Sequence, residues 1–196
     1  MNLTKPEVLE ELAGVCGFTG DSAFYNFEKK LRRVQSKRWK DFAFLLQTAR
    51  FFGCKILFSH KSDKPSTDRR LGKSAVLDPV NEYTDDCVGV FLLYGEIELT
   101  LCRLPTWRLL ENVLRHELTH LLQQAGGETL LSLHIEGGES LAKWAEAVAP
   151  RAVKFDNDPC EAEAYWLMSK PKRWQRWAET FKDSECWSGW TVERQW

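Results

Sequence analysis

Five consecutive residues, His116-Glu117-Leu118-Thr119-His120, could do chemistry together. They form an H-E-x-x-H motif. On an α-helix, positions i and i+4 lie one turn apart on one face, so both imidazoles reach a single metal ion. Glu117, next to the first histidine, is placed to take a proton from a water held at that metal. Two ordinary surface histidines would give the same five letters, so the surroundings must decide.

Two histidines leave a catalytic zinc site incomplete, because such sites normally have three protein ligands and a water. The chain has four histidines, His60, His116, His120 and His134. The long metzincin pattern requires Gly at position 123 and His at position 126; Gln123 and Gly126 stand there, which excludes it. Glu161 and Glu163 lie in Asp158-Pro159-Cys160-Glu161-Ala162-Glu163-Ala164-Tyr165-Trp166. Pro159 suits a first helical turn, Asp158 suits its cap, and the alanines that follow favour helix. Two residues apart on a helix, the carboxylates point to different sides, and only one can face the metal. An acidic first turn that favours the helix dipole is the plain alternative. His134 is a further candidate, as third ligand or as a hydrogen-bond donor to a developing oxyanion. Glu136 and Glu139 are fallback ligands.

The elements that must position these residues are legible nearby. Pro105 marks a boundary, Thr106 is an N-cap candidate, and Leu110, Val113, Leu114, Leu118, Leu121 and Leu122 recur at helical spacing, so a helix is expected over Trp107 to Gln124. Gly126-Gly127 supplies its stop. Upstream, Cys87 to Cys102 reads as two strands around Tyr94-Gly95-Glu96, a hairpin running into the metal helix. Helices are expected over Lys5 to Ala13, over about Ser22 to Phe52 with an interruption near Ser36, and over Gly138 to Ala149, which Pro150 ends. A strand is expected at Cys54 to Phe58. His60 to Asp86, rich in Ser, Asp, Lys and Pro, reads as a long loop. The stretch ELAGVCGFTGDSAFYNFEKKLRR has a faint helix-turn-helix character.

HELTHLLQQ followed by DPCEAEAYW resembles the minimal gluzincin metallopeptidases, among them the ImmA/IrrE-like proteins, over roughly residues 87 to 169. The resemblance implies a zincin-like α+β fold, with a small sheet and an edge strand beside a central H-E-x-x-H helix, otherwise mostly helical. It implies that Glu161, the first Glu of E-x-E-A, is the third zinc ligand and that Tyr165 supports a metal-binding histidine, a place where Asp or Asn is commoner. It also implies an edge strand, around residues 88 to 101, that holds substrate extended. The activity implied is zinc-assisted hydrolysis of a peptide bond in a protein or peptide substrate: Zn2+ on His116, His120 and Glu161, Glu117 as general base, Tyr165 or His134 as oxyanion donor. A rival resemblance is to the SprT-like proteases of DNA-crosslinked proteins, with His134 as ligand; there a Gly follows the third His, whereas Ile135 does here. A zincin fold kept for binding or regulation, with little proteolysis, is the other alternative.

At 196 residues with 43% hydrophobic content, the chain can bury a sizeable core. The expected organisation is a helical region at 1–53, a zincin-like core at 54–169 with a loop at 60–86, and a Trp-rich tail at 170–196 that packs on the core. That tail and Trp166 hold six of the nine tryptophans. A formal net charge of −1 gives no overall pull toward nucleic acid or membrane. Locally, Lys29 to Lys40 holds seven basic residues in twelve, around Trp39, and is the one candidate nucleic-acid contact. Six scattered cysteines without a C-x-x-C pair fit buried thiols in a reducing cytoplasm. The first residues lack a basic stretch followed by an apolar run, and no apolar stretch is of spanning length, so an intracellular protein is expected.

Overall fold

The structure is a computed structural model that describes residues 12, 14–34, 36–60, 89–92, 95–127, 130 and 159–183. The chain divides into two compact units, Met1–Leu114 and Arg115–Trp196. That division falls within a helix, rather than at 53 or 169 where the sequence suggested boundaries.

The first unit mixes helices with a four-stranded sheet. Strands β1 (Cys16–Phe18), β2 (Lys55–Ser59), β3 (Gly89–Leu92) and β4 (Glu96–Thr100) stand in the order β1-β2-β4-β3. β1, β2 and β4 run parallel, and β3 lies antiparallel to β4. The alternation in Lys55-Ile-Leu-Phe-Ser sets the register: Ile56 pairs with Ile97 and Phe58 with Leu99, and all four side chains are fully buried. Gly95, at φ 71°, supplies the left-handed turn of the expected β3–β4 hairpin, and its carbonyl accepts the Lys55 amide at 2.8 Å.

Helices α1 (Asp21–Arg32) and α2 (Ser36–Phe51) occupy the expected span, and the interruption falls just before Ser36. β1 was not expected. Residues 1–53 are therefore not wholly helical among those described, and the helix-turn-helix reading of this stretch is overturned. Gly17 is a strand residue in close approach: a Cβ there would come within 3.2 Å of the Leu57 side chain. Phe18 stacks on Phe58 at 5.4 Å, and Phe27 of α1 sits 4.6 Å from the same ring. Phe42 of α2 lies 4.7 Å from Trp107 and completes an aromatic core.

After a short 3-10 turn at Leu101–Arg103 comes α3 (Trp107–Ala125). Thr106 caps it as expected, its hydroxyl accepting the Leu109 amide at 3.2 Å. Gly127, at φ 81°, ends it, donating its amide to the Gln124 carbonyl at 2.9 Å.

The second unit takes the C-terminal part of α3 with α4 (Pro159–Met168) and α5 (Pro171–Asp183). On α5, Trp174, Trp177, Ala178 and Phe181 form one buried stripe. The Trp174 indole donates to the Thr119 hydroxyl at 3.0 Å, and that hydroxyl donates to the Arg115 carbonyl at 2.8 Å. The buried Arg115 guanidinium donates to the Met168 carbonyl, where the C-terminal end of α4 leaves acceptors over. Among the described residues no helix is long and apolar enough to cross a membrane. The helices expected at Lys5–Ala13 and Gly138–Ala149, residues 61–86 of the expected loop, and the tail beyond 183 lie outside the described residues.

Candidate metal centre

One face of α3 presents His116 and His120 one turn apart, and α4 brings Glu161 to them. Their Nε2 atoms are 3.1 Å apart. Glu161 Oε2 lies 3.2 Å from His116 Nε2, and its Oε1 lies 3.1 Å from His120 Nε2. The carboxylate thus spans the two rings with one oxygen on each, and one potential ligand atom from each residue lies within 4.8 Å of the others. Zinc–nitrogen and zinc–oxygen bonds of about 2.0–2.1 Å in a tetrahedron put neighbouring ligands about 3.3 Å apart. The contact between the two imidazoles, and that of each imidazole with its nearer carboxylate oxygen, match that within a few tenths of an ångström. Two imidazoles and one carboxylate, with a fourth position left open, is also the donor set of hydrolytic zinc sites. The residues therefore fit a zinc ion.

Burial grades across the site. The side chains of His116, His120 and Glu161 are 8%, 16% and 27% exposed, so the carboxylate is the most accessible of the three. Burial of Glu161 favours its neutral acid. Hydrogen bonds and charge from His116 and His120 outweigh that and hold the carboxyl well below the usual carboxylate range. Burial pulls the His120 imidazolium down, but bonding and charge from Glu161, charge from Glu117 and the bond to Gln123 push it up to about 9.

Gln123 fixes which nitrogen of His120 faces the metal position. Its Nε2 lies 3.1 Å from the Cys160 carbonyl and 2.8 Å from Glu163 Oε2, two acceptors that use both amide hydrogens. The amide oxygen must then face His120, whose Nδ1 lies 2.9 Å away and must donate. His120 Nε2 is left with its lone pair toward His116 and Glu161 whenever the ring is neutral. Glu163 is fully buried and anchors Gln123 rather than a metal, so the two carboxylates two apart on α4 do part company. Sequence reasoning missed Gln123 as a functional residue. Its spacing, three after His120, was the available signal, since i and i+3 are neighbours on a helix.

Tyr165, one turn after Glu161 on α4, lays its ring 4.5 Å from the His116 ring at an interplanar angle of 59°. It thus packs against a candidate ligand histidine. His116 Nδ1 is buried and has no hydrogen-bond partner among the described residues. Glu117 is buried on α3 next to His116, near enough for its charge to act on His120. His134, Glu136 and Glu139 lie outside the described residues, and His60 belongs to the first unit, 3.5 Å from the Asn26 amide nitrogen. Cys160 is a half-buried cysteine beside Glu161; among the described residues neither it nor Cys16 nor Cys54 forms a disulfide. Burial pushes both of the latter thiols up, away from reactivity.

Compared with protein-family models, with curated proteins and with solved structures, the chain finds no match.

Proposed function

We propose that the chain is a zinc-dependent metallopeptidase that hydrolyses peptide bonds in a protein substrate. The observation that carries this reading is the convergence of His116, His120 and Glu161 at 3.1–3.2 Å with Glu117 next in sequence to the first ligand. His116, His120 and Glu161 would hold the ion. Bound there, zinc would lower the pKa of water and polarise the scissile carbonyl. Glu117 accepts a proton as the water oxygen adds to the carbonyl carbon, and delivers it to the amine nitrogen as the C–N bond breaks. Gln123 holds His120 in the tautomer the site needs, and Tyr165 fixes the plane of His116. The zincin-like fold and the gluzincin-like ligand set belong to the same proposal.

Metal content per chain after extensive desalting tests it. About one zinc per wild-type chain is expected from a three-ligand site. Glu161→Ala should lose it and Glu163→Ala should keep most of it. Loss concentrated instead in His134→Ala would favour the SprT-like arrangement, and a wild type that refuses added zinc would remove the enzyme reading. Glu117→Gln should retain zinc and lose cleavage of unfolded protein substrates. Retained cleavage would deny Glu117 its role as the base.

A further inference from the structure

The first unit holds a second concavity whose chemistry the peptidase reading does not use. Its volume is about 620 Å³, within the usual range of small-ligand sites. Lys29, Lys30 and Arg33 line it from the last turn of α1 and just beyond, Arg38 from the first turn of α2, and Arg108 from the first turn of α3. Among the described residues no carboxylate lines it. Among the described residues Lys29, Lys30, Arg33 and Arg108 form no ion pair. Arg38 has a long one, 3.6 Å to Glu111, a carboxylate that also accepts the Trp107 indole at 2.7 Å.

Cations at the end of α1 have an internal explanation, because they complement the negative pole of that helix. Arg38 and Arg108 do not. Each sits at the positive pole of its helix, and neither α2 nor α3 carries an acidic residue in its first turn. The amides of Trp107 and Arg108, at the rim of the same concavity, have no protein acceptor among the described residues. Lys30 is pushed down by burial first and then by the charges of Arg33 and Lys29, with the Cys102 thiol opposing. Two positive helix poles and five cationic side chains thus meet around one space, offset only by the C-terminal pole of α1 and the long Arg38–Glu111 pair, an arrangement that favours entry of an anion.

We propose that this concavity binds a phosphate-bearing small molecule of nucleotide size, with Arg33, Arg38 and Arg108 as the principal phosphate contacts. Arginine suits that task because its planar fork meets two phosphate oxygens at once. The cations converge on one concavity of bounded volume, which favours a small polyanion over a nucleic-acid strand, whose backbone would need cations tracking along a groove. This proposal stands independently of the metal centre.

The test is calorimetric titration of the full chain at low salt with inorganic tripolyphosphate, ATP, citrate and a single-stranded oligonucleotide. Tripolyphosphate and ATP should bind one per chain, and citrate much more weakly. ATP equal to tripolyphosphate would assign the site to the phosphate chain alone; tighter ATP would add the nucleoside. Arg33→Gln and Arg108→Gln, both at exposed residues, should each weaken binding about tenfold, the effect of losing one charge-assisted contact. Lys172→Gln, an exposed cation of α5, should leave it unchanged. Repeating the titration with Glu161→Ala separates this binding from capture of a metal by the probe. Three results would overturn the proposal: no binding at millimolar tripolyphosphate; binding indifferent to both arginine variants; or oligonucleotide binding that tightens with length and that ATP does not displace.

Discussion

Gln123 is engaged at every polar atom: its oxygen serves His120 and its two hydrogens serve Cys160 and Glu163. Replacing it with leucine, of similar size, should leave the fold intact and free the His120 ring to change tautomer. Loss of such a supporting bond typically weakens metal affinity about 10- to 100-fold, and competition with a chromophoric chelator would measure it. An unchanged affinity would show that packing alone orients His120. The raised His120 and depressed Glu161 also set a pH dependence in metal-free protein. His120 takes a proton more readily folded than unfolded, so its contribution is complete below about pH 6.5 and is lost as pH rises through about 9. Glu161 contributes above its unfolded value near pH 4.5, and that contribution fades as pH falls toward its depressed one. The metal-free protein should therefore lose Tm between pH 6.5 and 9. Zinc takes the place of the His120 proton, so the gap in Tm between loaded and chelated protein should widen over that window. A gap independent of pH would contradict the arrangement.

At the scale of elements, α5 matters because it holds α3 between His116 and His120. Trp174 spends its indole hydrogen on Thr119, inside the H-E-x-x-H motif. Trp174→Phe keeps an aromatic ring but leaves the Thr119 hydroxyl without its donor, at a cost of about 1–2 kcal/mol in urea denaturation. Trp174→Ala should cost about 3–5 kcal/mol through the cavity it opens. If the two variants were equally destabilised, the hydrogen bond rather than the ring would be carrying the contact. In the sheet, Leu99→Ala empties a fully buried position opposite Phe58, and about 2–5 kcal/mol should be lost.

For the whole molecule, what could be read from the sequence was what repeats along it. The metal helix, its caps, the β3–β4 hairpin and the break between α1 and α2 follow from apolar spacing and glycine placement. Glu161 was named through the family resemblance; the short helix that its neighbours spell left Glu163 open beside it. β1 was not legible: Cys16-Gly17-Phe18 is too short to alternate, and it becomes a strand through pairing with residues some forty positions later. Gln123 was hidden for the same reason, since Glu163 lies forty residues away in sequence. Position 123 had served only to exclude a longer zinc motif. Removal of metal should be felt across the chain as a loss of stability: a ligand at a hundred times its Kd contributes about 2.7 kcal/mol, so chelation should lower Tm in wild type and leave Glu161→Ala unmoved.

The bond between Trp174 and Thr119 has a bearing on ancestry. An H-E-x-x-H search leaves position 119 open, yet here that residue must carry a hydroxyl for as long as an indole faces it. Distant kin should therefore be sought with a wider pattern: H-E-x-[ST]-H-x-x-Q, then E-x-E, then a tryptophan eleven residues beyond the second glutamate. In lineages that exchange the tryptophan for an apolar ring, the threonine should drift to alanine or valine with it. The glutamine and the second glutamate should come and go as a pair, on a clock separate from that of the ligands.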